Sequence, residues 1–145
     1  MLFRSLLESS PFAWNLVTAI LDERNWADGQ LGDFLHPETF PDWPDRYRVQ
    51  MGYKGFRRAR LSDVRANLDW DQRDELQAVG RHDRPVLVIW GKQDPNVPFE
   101  LSASLLAVMP TARLVAVEAA GHLPQWEQPA IVQPAIVSFL REVEP

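Results

Sequence analysis

The sequence predicts an α/β chain in which a helical amino-terminal part is followed by a parallel β-α-β-α segment. Three observations carry this reading. Residues 1–70 hold 11 of the 15 aromatics, interrupted by Pro and Gly, and contain no β-branched run that reads as a strand. Residues 86–90 and 114–117 are continuous apolar runs, as expected of strands covered on both faces of a parallel sheet. About twenty residues with a helical pattern separate the two runs, which is the size of a right-handed crossover joining parallel neighbours.

Taken in order, Leu16, Ile20 and Leu21 sit at helical spacing. Phe40-Pro41-Asp42-Trp43-Pro44 reads as a loop, because two prolines remove donors and disfavour helix before each. Tyr53, Phe56 and Leu61 suggest a further short helix pair, with Asn67 or Asp69 capping the segment after it. The texture changes near residues 71–85, so we divide the chain into 1–70 and 71–145. Val86-Leu87-Val88-Ile89-Trp90 is the first strand, ended by Gly91. A helix follows over 99–109, with Leu101, Leu105 and Val108 in one stripe and Pro110 blocking continuation. Leu114-Val115-Ala116-Val117 is the second strand. The last helix carries Val132, Ile136, Phe139, Leu140 and Val143 on one face, and Pro134 implies that it starts or kinks there.

Composition bounds the function. At 145 residues the chain is long enough for one domain, which typically buries about 70% of its unfolded surface. The content of 46% hydrophobic and 24% charged residues is ordinary for a soluble globular protein. No apolar run is long enough for a membrane span, and the first residues lack the pattern of a signal peptide. The absence of cysteine excludes disulfides and thiolate chemistry and fits a reducing, cytoplasmic compartment. A net charge of -5 argues against a nucleic-acid partner, and Lys54, Arg57, Arg58 and Arg60 read as a solvated helix face.

Parallel strands place their carboxyl ends on one edge of the sheet, where open α/β sheets bind ligands. Asp94 follows the first strand and His122 the second, so topology brings a carboxylate and an imidazole to neighbouring loops. Taken alone, Asp94 before Pro95 reads as a turn opener and His122 as a structural histidine. Together they form the orienting half of nucleophilic catalysis, because a carboxylate fixes the imidazole tautomer and stabilises its protonated form.

Trp90-Gly91-Lys92-Gln93-Asp94-Pro95-Asn96-Val97-Pro98 resembles the loop after strand seven of α/β-hydrolases, which carries the triad acid. Ala120-Gly121-His122-Leu123-Pro124-Gln125-Trp126-Glu127-Gln128-Pro129 resembles the segment after strand eight, where a Gly-His pair supplies the base and Glu-x-Pro opens the last helix. The order nucleophile, acid, histidine is kept for the last two members. The resemblance covers 85–145 closely, and 1–70 resembles loosely the helical cap that many of these enzymes insert. It implies the carboxyl-terminal portion of an α/β-hydrolase, with the first five or six strands missing, and a serine-type hydrolase acting on an ester or another acyl or carbon-carbon bond. Asp94 and His122 are then its catalytic residues, and neither metal nor organic cofactor is implied.

The family nucleophile sits in Gly-x-Ser-x-Gly on a strained strand-to-helix turn. No such motif occurs, nor its Asp variant, and no two of the seven glycines are four apart. Three explanations are open: a product of a split or proteolysed hydrolase, a carboxyl-terminal or internal-start product associating through its exposed sheet edge, or a degenerate domain. The isolated chain is expected to be inactive. Its partners would be a small apolar or amphipathic substrate and either an amino-terminal hydrolase half or a second copy joined at the sheet edge. The alternative is a non-catalytic binding or interaction module.

Trp14, Trp26, Phe34, Trp43, Tyr47 and Phe56 either line an apolar substrate pocket or pack the helical part together. Trp126, four residues after His122, is placed at the site entrance, and Trp14, Trp43 and Trp126 are the substrate-contact candidates. Trp90 reads as core. His36 and His82 read as surface residues, and a metal site from Asp33, His36 and Asp42 matches no ligand spacing. Glu118 and Glu127 are both candidates for tuning His122, with a helix-start role favoured for Glu127 because carboxylates favour helix N-termini.

Overall fold

A computed structural model describes residues 23–67, 72–82 and 84–143. Leu16, Ile20, Leu21 and Trp14 lie outside these, as does Asp69. The order of elements is α1 (Glu23–Gly29), two 3-10 turns (Gln30–Asp33 and Pro37–Thr39), α2 (Trp43–Met51), α3 (Phe56–Asn67), α4 (Arg73–Gly80), β1 (Leu87–Gly91), α5 (Leu101–Val108), β2 (Arg113–Val117), α6 (Pro124–Glu127) and α7 (Pro129–Val143). Among the described residues the amino-terminal part is helical, and β1 and β2 pair in parallel with Leu87 opposite Arg113 and Gly91 opposite Val117. The described fold is thus helical with a short two-stranded parallel sheet, the partial α/β arrangement that the resemblance implies.

The strands form where the apolar runs predict them, one residue from the expected bounds. Val117, Ala120 and Val132 make the buried core, with Ile89 and Val115 packed against it. Fully burying a valine contributes roughly 1.5–3 kcal/mol, so Val132 and Val117 help to hold α7 against the paired strands. Cover is nevertheless thinner than a continuous apolar run predicts, since Leu87 to Trp90 are each half-buried among the described residues.

Several local expectations are corrected. The loop ends at Asp42, because Trp43 and Pro44 already belong to α2. A proline in the first turn of a helix loses only an N–H that has no intrahelical partner. Asn67 closes α3 instead of capping the next element, and α4 is preceded by Gln72. The last helix starts at Pro129 and runs through Pro134, which forfeits a single bond near its start. Its inward stripe is Val132, Ala135 and Phe139, while Ile136, Leu140 and Val143 are exposed. The helix α5 is similarly turned: Ser102 is buried, as is Met109 just past its end, and Leu101 is half exposed.

Two glycines permit close approaches that no other residue would. A Cβ on Gly80 would lie 2.3 Å from the Val108 carbonyl oxygen, which lets the end of α4 sit on the end of α5. A Cβ on Gly91 would lie 2.0 Å from the Gly121 oxygen and 2.4 Å from the Ala120 oxygen. The loops after β1 and β2 therefore touch backbone to backbone. Among the described residues no helix is long and apolar enough to cross a membrane.

Candidate active site

The acid loop begins where β1 ends. Gly91 accepts the Asp94 N–H at 3.3 Å, and the Trp90 indole N–H donates to the Val97 carbonyl at 3.0 Å, so the loop is closed at both ends. Trp90 is thus a half-buried loop anchor and not simply core. Asp94 Oδ1 accepts the backbone N–H groups of Asn96 and Val97, each at 2.9 Å, which is the turn-opening behaviour that Asp favours. Its other oxygen, Oδ2, accepts the His122 Nδ1–H at 2.9 Å. The turn role and the imidazole contact coexist, one oxygen for each.

Asp94 is enclosed, with 5% of its side chain exposed, whereas the His122 ring is 39% exposed. Burial pushes the Asp94 carboxyl up, but the hydrogen bonds from Val97, His122 and Asn96 and the field of His122 together outweigh it. The net result lies below the ordinary value. The carboxylate therefore stays ionised beside the ring. With Nδ1 engaged, the other ring nitrogen, Nε2, is the one able to accept a proton.

The histidine loop is held more elaborately than its sequence suggests. Ala119 adopts a left-handed conformation with φ 51°, turning the chain after β2. Gln93 brackets Ala120, donating its N–H to the Ala120 carbonyl at 3.0 Å and accepting the Ala120 N–H on Oε1 at 3.2 Å. His122 donates its own N–H to the Asp33 carbonyl at 2.8 Å. Glu127, expected at a helix start, instead closes α6 and reaches back. Its Oε2 accepts the Gly121 N–H and its Oε1 accepts the Leu35 N–H, both at 2.6 Å. Two partly buried backbone donors that need an acceptor explain why the carboxylate turns away from the helix.

The structure places Trp43 and Trp126 together, with ring centroids 5.1 Å apart at 70°, and Trp43 also meets the edge of Phe34. Phe34 stacks on Phe40, and Tyr47 meets Phe56, so much of the aromatic content packs the helical part together. Trp126 keeps 44% of its surface exposed and carries the Arg46 guanidinium 5.7 Å above its ring. His36 pairs with Glu38 on the surface, and His82 is exposed. Glu118 pairs with Lys92 and not with His122. Among the described residues no group of three His, Asp or Glu is arranged to hold a metal.

Sequence reasoning missed Asp33 as part of this site, and it named Glu127 as able to tune His122 while favouring a helix-start role. No local pattern betrays Asp33, whose carbonyl serves His122 and whose Oδ1 accepts the Asn96 amide at 2.7 Å, 63 positions away. Glu127 carried a signal in its spacing of six from Gly121, but its second partner lies 92 positions distant.

A two-stranded parallel sheet whose carboxyl edge presents a carboxylate-held imidazole places the chain in the class of α/β proteins. Comparison with known proteins names it: the model of the alpha/beta hydrolase family matches residues 2–133, and the chain belongs to that family. The 2-hydroxy-6-oxononadienedioate/2-hydroxy-6-oxononatrienedioate hydrolase of Cupriavidus pinatubonensis is 36% identical over 62 residues, which are 43% of this chain and 22% of that protein. The structure of a thermophilic esterase from Thermogutta terrifontis superposes with a TM-score of 0.65 at 25% identity, covering 94% of this chain and 53% of the esterase. The 2-hydroxy-6-oxo-6-phenylhexa-2,4-dienoate hydrolase of Rhodococcus sp. strain RHA1 shares the fold, with a TM-score of 0.59 at 22% identity over 82% of this chain and 47% of that one. The chain thus spans about half the length of these structural relatives.

Proposed function

We propose that this chain supplies the acid and the base of a Ser-His-Asp hydrolase, with residues 1–70 as a helical cap and 71–145 as the carboxyl-terminal part of the core. The observation that carries this is the Asp94–His122 hydrogen bond at the carboxyl edge of a parallel sheet, in which an enclosed carboxylate engages Nδ1. Because the sequence holds no Gly-x-Ser-x-Gly, the serine comes from polypeptide outside these 145 residues. Its hydroxyl oxygen attacks the substrate carbonyl carbon while its proton passes to His122 Nε2. Asp94 stabilises the imidazolium, which then delivers the proton to the leaving group. Water then attacks the acyl carbon with His122 again as base, and the acid product is released.

The bond cleaved is an ester or a carbon-carbon bond next to a carbonyl, in a small apolar or amphipathic molecule. The names of the relatives support this range, an esterase on one side and hydrolases of 2-hydroxy-6-oxo acids on the other. Trp14, Trp43 and Trp126 contact its apolar portion, a role favoured by the exposed face of Trp126 beside Trp43.

The test is co-expression with an amino-terminal α/β-hydrolase half bearing Gly-x-Ser-x-Gly, read by a fluorophosphonate probe and by turnover of a chromogenic ester. The chain alone stays unlabelled, the pair is labelled and active, and His122→Ala in the pair lowers turnover at least ~1,000-fold. Robust esterase activity from the chain alone, or full turnover by the His122→Ala pair, overturns the reading. Association without any turnover would favour the binding-module alternative.

A further inference from the structure

We infer that Glu127 is a positioning residue for His122, acting by clamping segment 33–35 against the Gly121–His122 peptide. The observations are three. The two oxygens of one carboxylate accept the N–H groups of Gly121 and Leu35, each at 2.6 Å, in the short range of charge-assisted bonds. The next N–H along, that of His122, is taken by the Asp33 carbonyl at 2.8 Å, so both backbone donors at the histidine are fastened to one short stretch of chain or to the carboxylate gripping it. Lastly, Gly121 leaves no room between them: a Cβ there would meet the Asp33 oxygen and the Leu35 nitrogen at 2.8 Å and Glu127 Oε2 at 3.2 Å.

Segment 33–35 also reaches the acid loop. Asp33 Oδ1 accepts the Asn96 side-chain amide at 2.7 Å, and the Asn96 backbone N–H donates to Asp94 Oδ1 at 2.9 Å. One stretch of the helical part is therefore in hydrogen-bond contact with both loops, and Glu127 is the group that draws it onto the histidine side. The imidazole leaves a backbone whose position is set by these bonds, and the 2.9 Å contact to Asp94 follows from where that backbone is held. Remove the clamp, and His122 keeps its side chain but loses its fixed distance to Asp94. Glutamine cannot replace the glutamate, because it offers one acceptor oxygen and would turn an NH2 group toward the second N–H.

The consequence for turnover rests on the catalytic reading of Asp94 and His122, but the positioning itself is measurable without a nucleophile. In the 15N-labelled full chain, a His122 Nδ1–H held by Asp94 gives a downfield proton resonance that Asp94→Asn abolishes. Glu127→Gln is expected to speed its exchange with water at least 10-fold or broaden it beyond detection, at a temperature where circular dichroism shows the variant folded. Glu127→Asp, which keeps the charge but shortens the reach, gives the same change, and it serves if Glu127→Gln does not fold. Glu118→Gln, at a carboxylate paired with Lys92, leaves the resonance intact. An unchanged resonance in the Glu127 variants, with Asp94→Asn losing it, overturns the inference. Turnover that survives His122→Ala in the reconstituted pair sinks the catalytic reading alone and leaves the clamp standing.

Discussion

His122 and Asp94 meet Nδ1 to Oδ2 at 2.9 Å, and the acid is the enclosed partner while the base faces solvent. The hydrogen bonds that hold the enclosed acid have a direct consequence for stability against pH. The Asp94 carboxyl sits below its ordinary value of 3.8, because hydrogen bonds from Val97, His122 and Asn96 overcome the opposing effect of burial. The unfolded chain then binds the proton more readily than the folded one. The stability Asp94 contributes is complete above about pH 3.8 and is lost as pH falls through its depressed folded value. Glu142 acts in the same sense, lowered by Ser138 and Arg113. Urea denaturation from neutral to strongly acidic pH is therefore expected to show a falling midpoint at the acid end. Asp94→Asn should flatten that fall and cost on the order of 1–3 kcal/mol at neutral pH, since bonds to a charged acceptor are replaced by weaker ones.

The backbone contact between the two loops sets a second expectation. A methyl group at position 91 would overlap the Gly121 and Ala120 oxygens at 2.0 and 2.4 Å, and both obstacles are main chain with no rotamer to yield. Gly91→Ala is expected to destabilise by at least about 3 kcal/mol, the upper end of overpacking penalties. Gly121→Ala, whose nearest neighbours stand at 2.8 Å, should cost about 1–3 kcal/mol. By contrast Gly29→Ala meets nothing within 4 Å at the end of α1, and its stability should stay level or rise by up to ~1 kcal/mol. Thermal or urea midpoints of the three variants rank them directly, and equal midpoints would show that the loops do not touch as described.

The same contacts separate the parts of the molecule that were legible in the sequence from those that were not. The strands were legible, because short apolar runs rich in β-branched residues and ended by a glycine or a turn favour a strand, and the pairing of Asp94 with His122 followed from parallel strands sharing one edge. Helix faces were read less well. Leu101 and Leu140 are exposed although they belong to apolar stripes, since a stripe says which residues prefer burial but not what lies opposite. The Trp43-Pro44 pair was misplaced because proline in the first turn of a helix costs little, whereas the last helix begins five residues before Pro134 and carries it inside at the loss of one bond. The bonds by which Asp33 and Glu127 hold the histidine loop escaped notice for a different reason. Their partners are backbone N–H and C=O groups, which every residue but proline possesses in full and no sequence pattern marks.

Ala119 offers a test of stored backbone strain. Its φ of 51° lies in the left-handed region, where a side chain costs roughly 1–2 kcal/mol relative to glycine. Ala119→Gly relieves that cost but enlarges the conformational freedom of the unfolded chain, worth about 0.4–1 kcal/mol in the opposite direction. The expected balance is a gain of up to about 1 kcal/mol in unfolding free energy. Ala119→Val should lose at least as much, because β-branching makes the left-handed region harder still to reach. A loss of stability in the glycine variant would contradict the conformation assigned to the turn that delivers His122.

Trp43 tests the aromatic contact between the helical part and the histidine loop. Its indole N–H is buried without a hydrogen-bond partner among the described residues, and an unpaired buried donor typically costs about 1–3 kcal/mol. Its ring nonetheless packs edge-on against both Phe34 and Trp126, at centroid distances of 5.1 Å. Truncation and replacement should therefore separate two effects. Trp43→Ala removes the packing and is expected to cost about 3–5 kcal/mol. Trp43→Phe removes the stranded donor and keeps most of the contact, so its stability should fall within about 1 kcal/mol of the parent. If Trp43→Phe proves as damaging as Trp43→Ala, the N–H has a partner that matters. Trp126→Phe should be milder than either, since 44% of Trp126 is already in solvent and its loss uncovers mainly one face of Trp43.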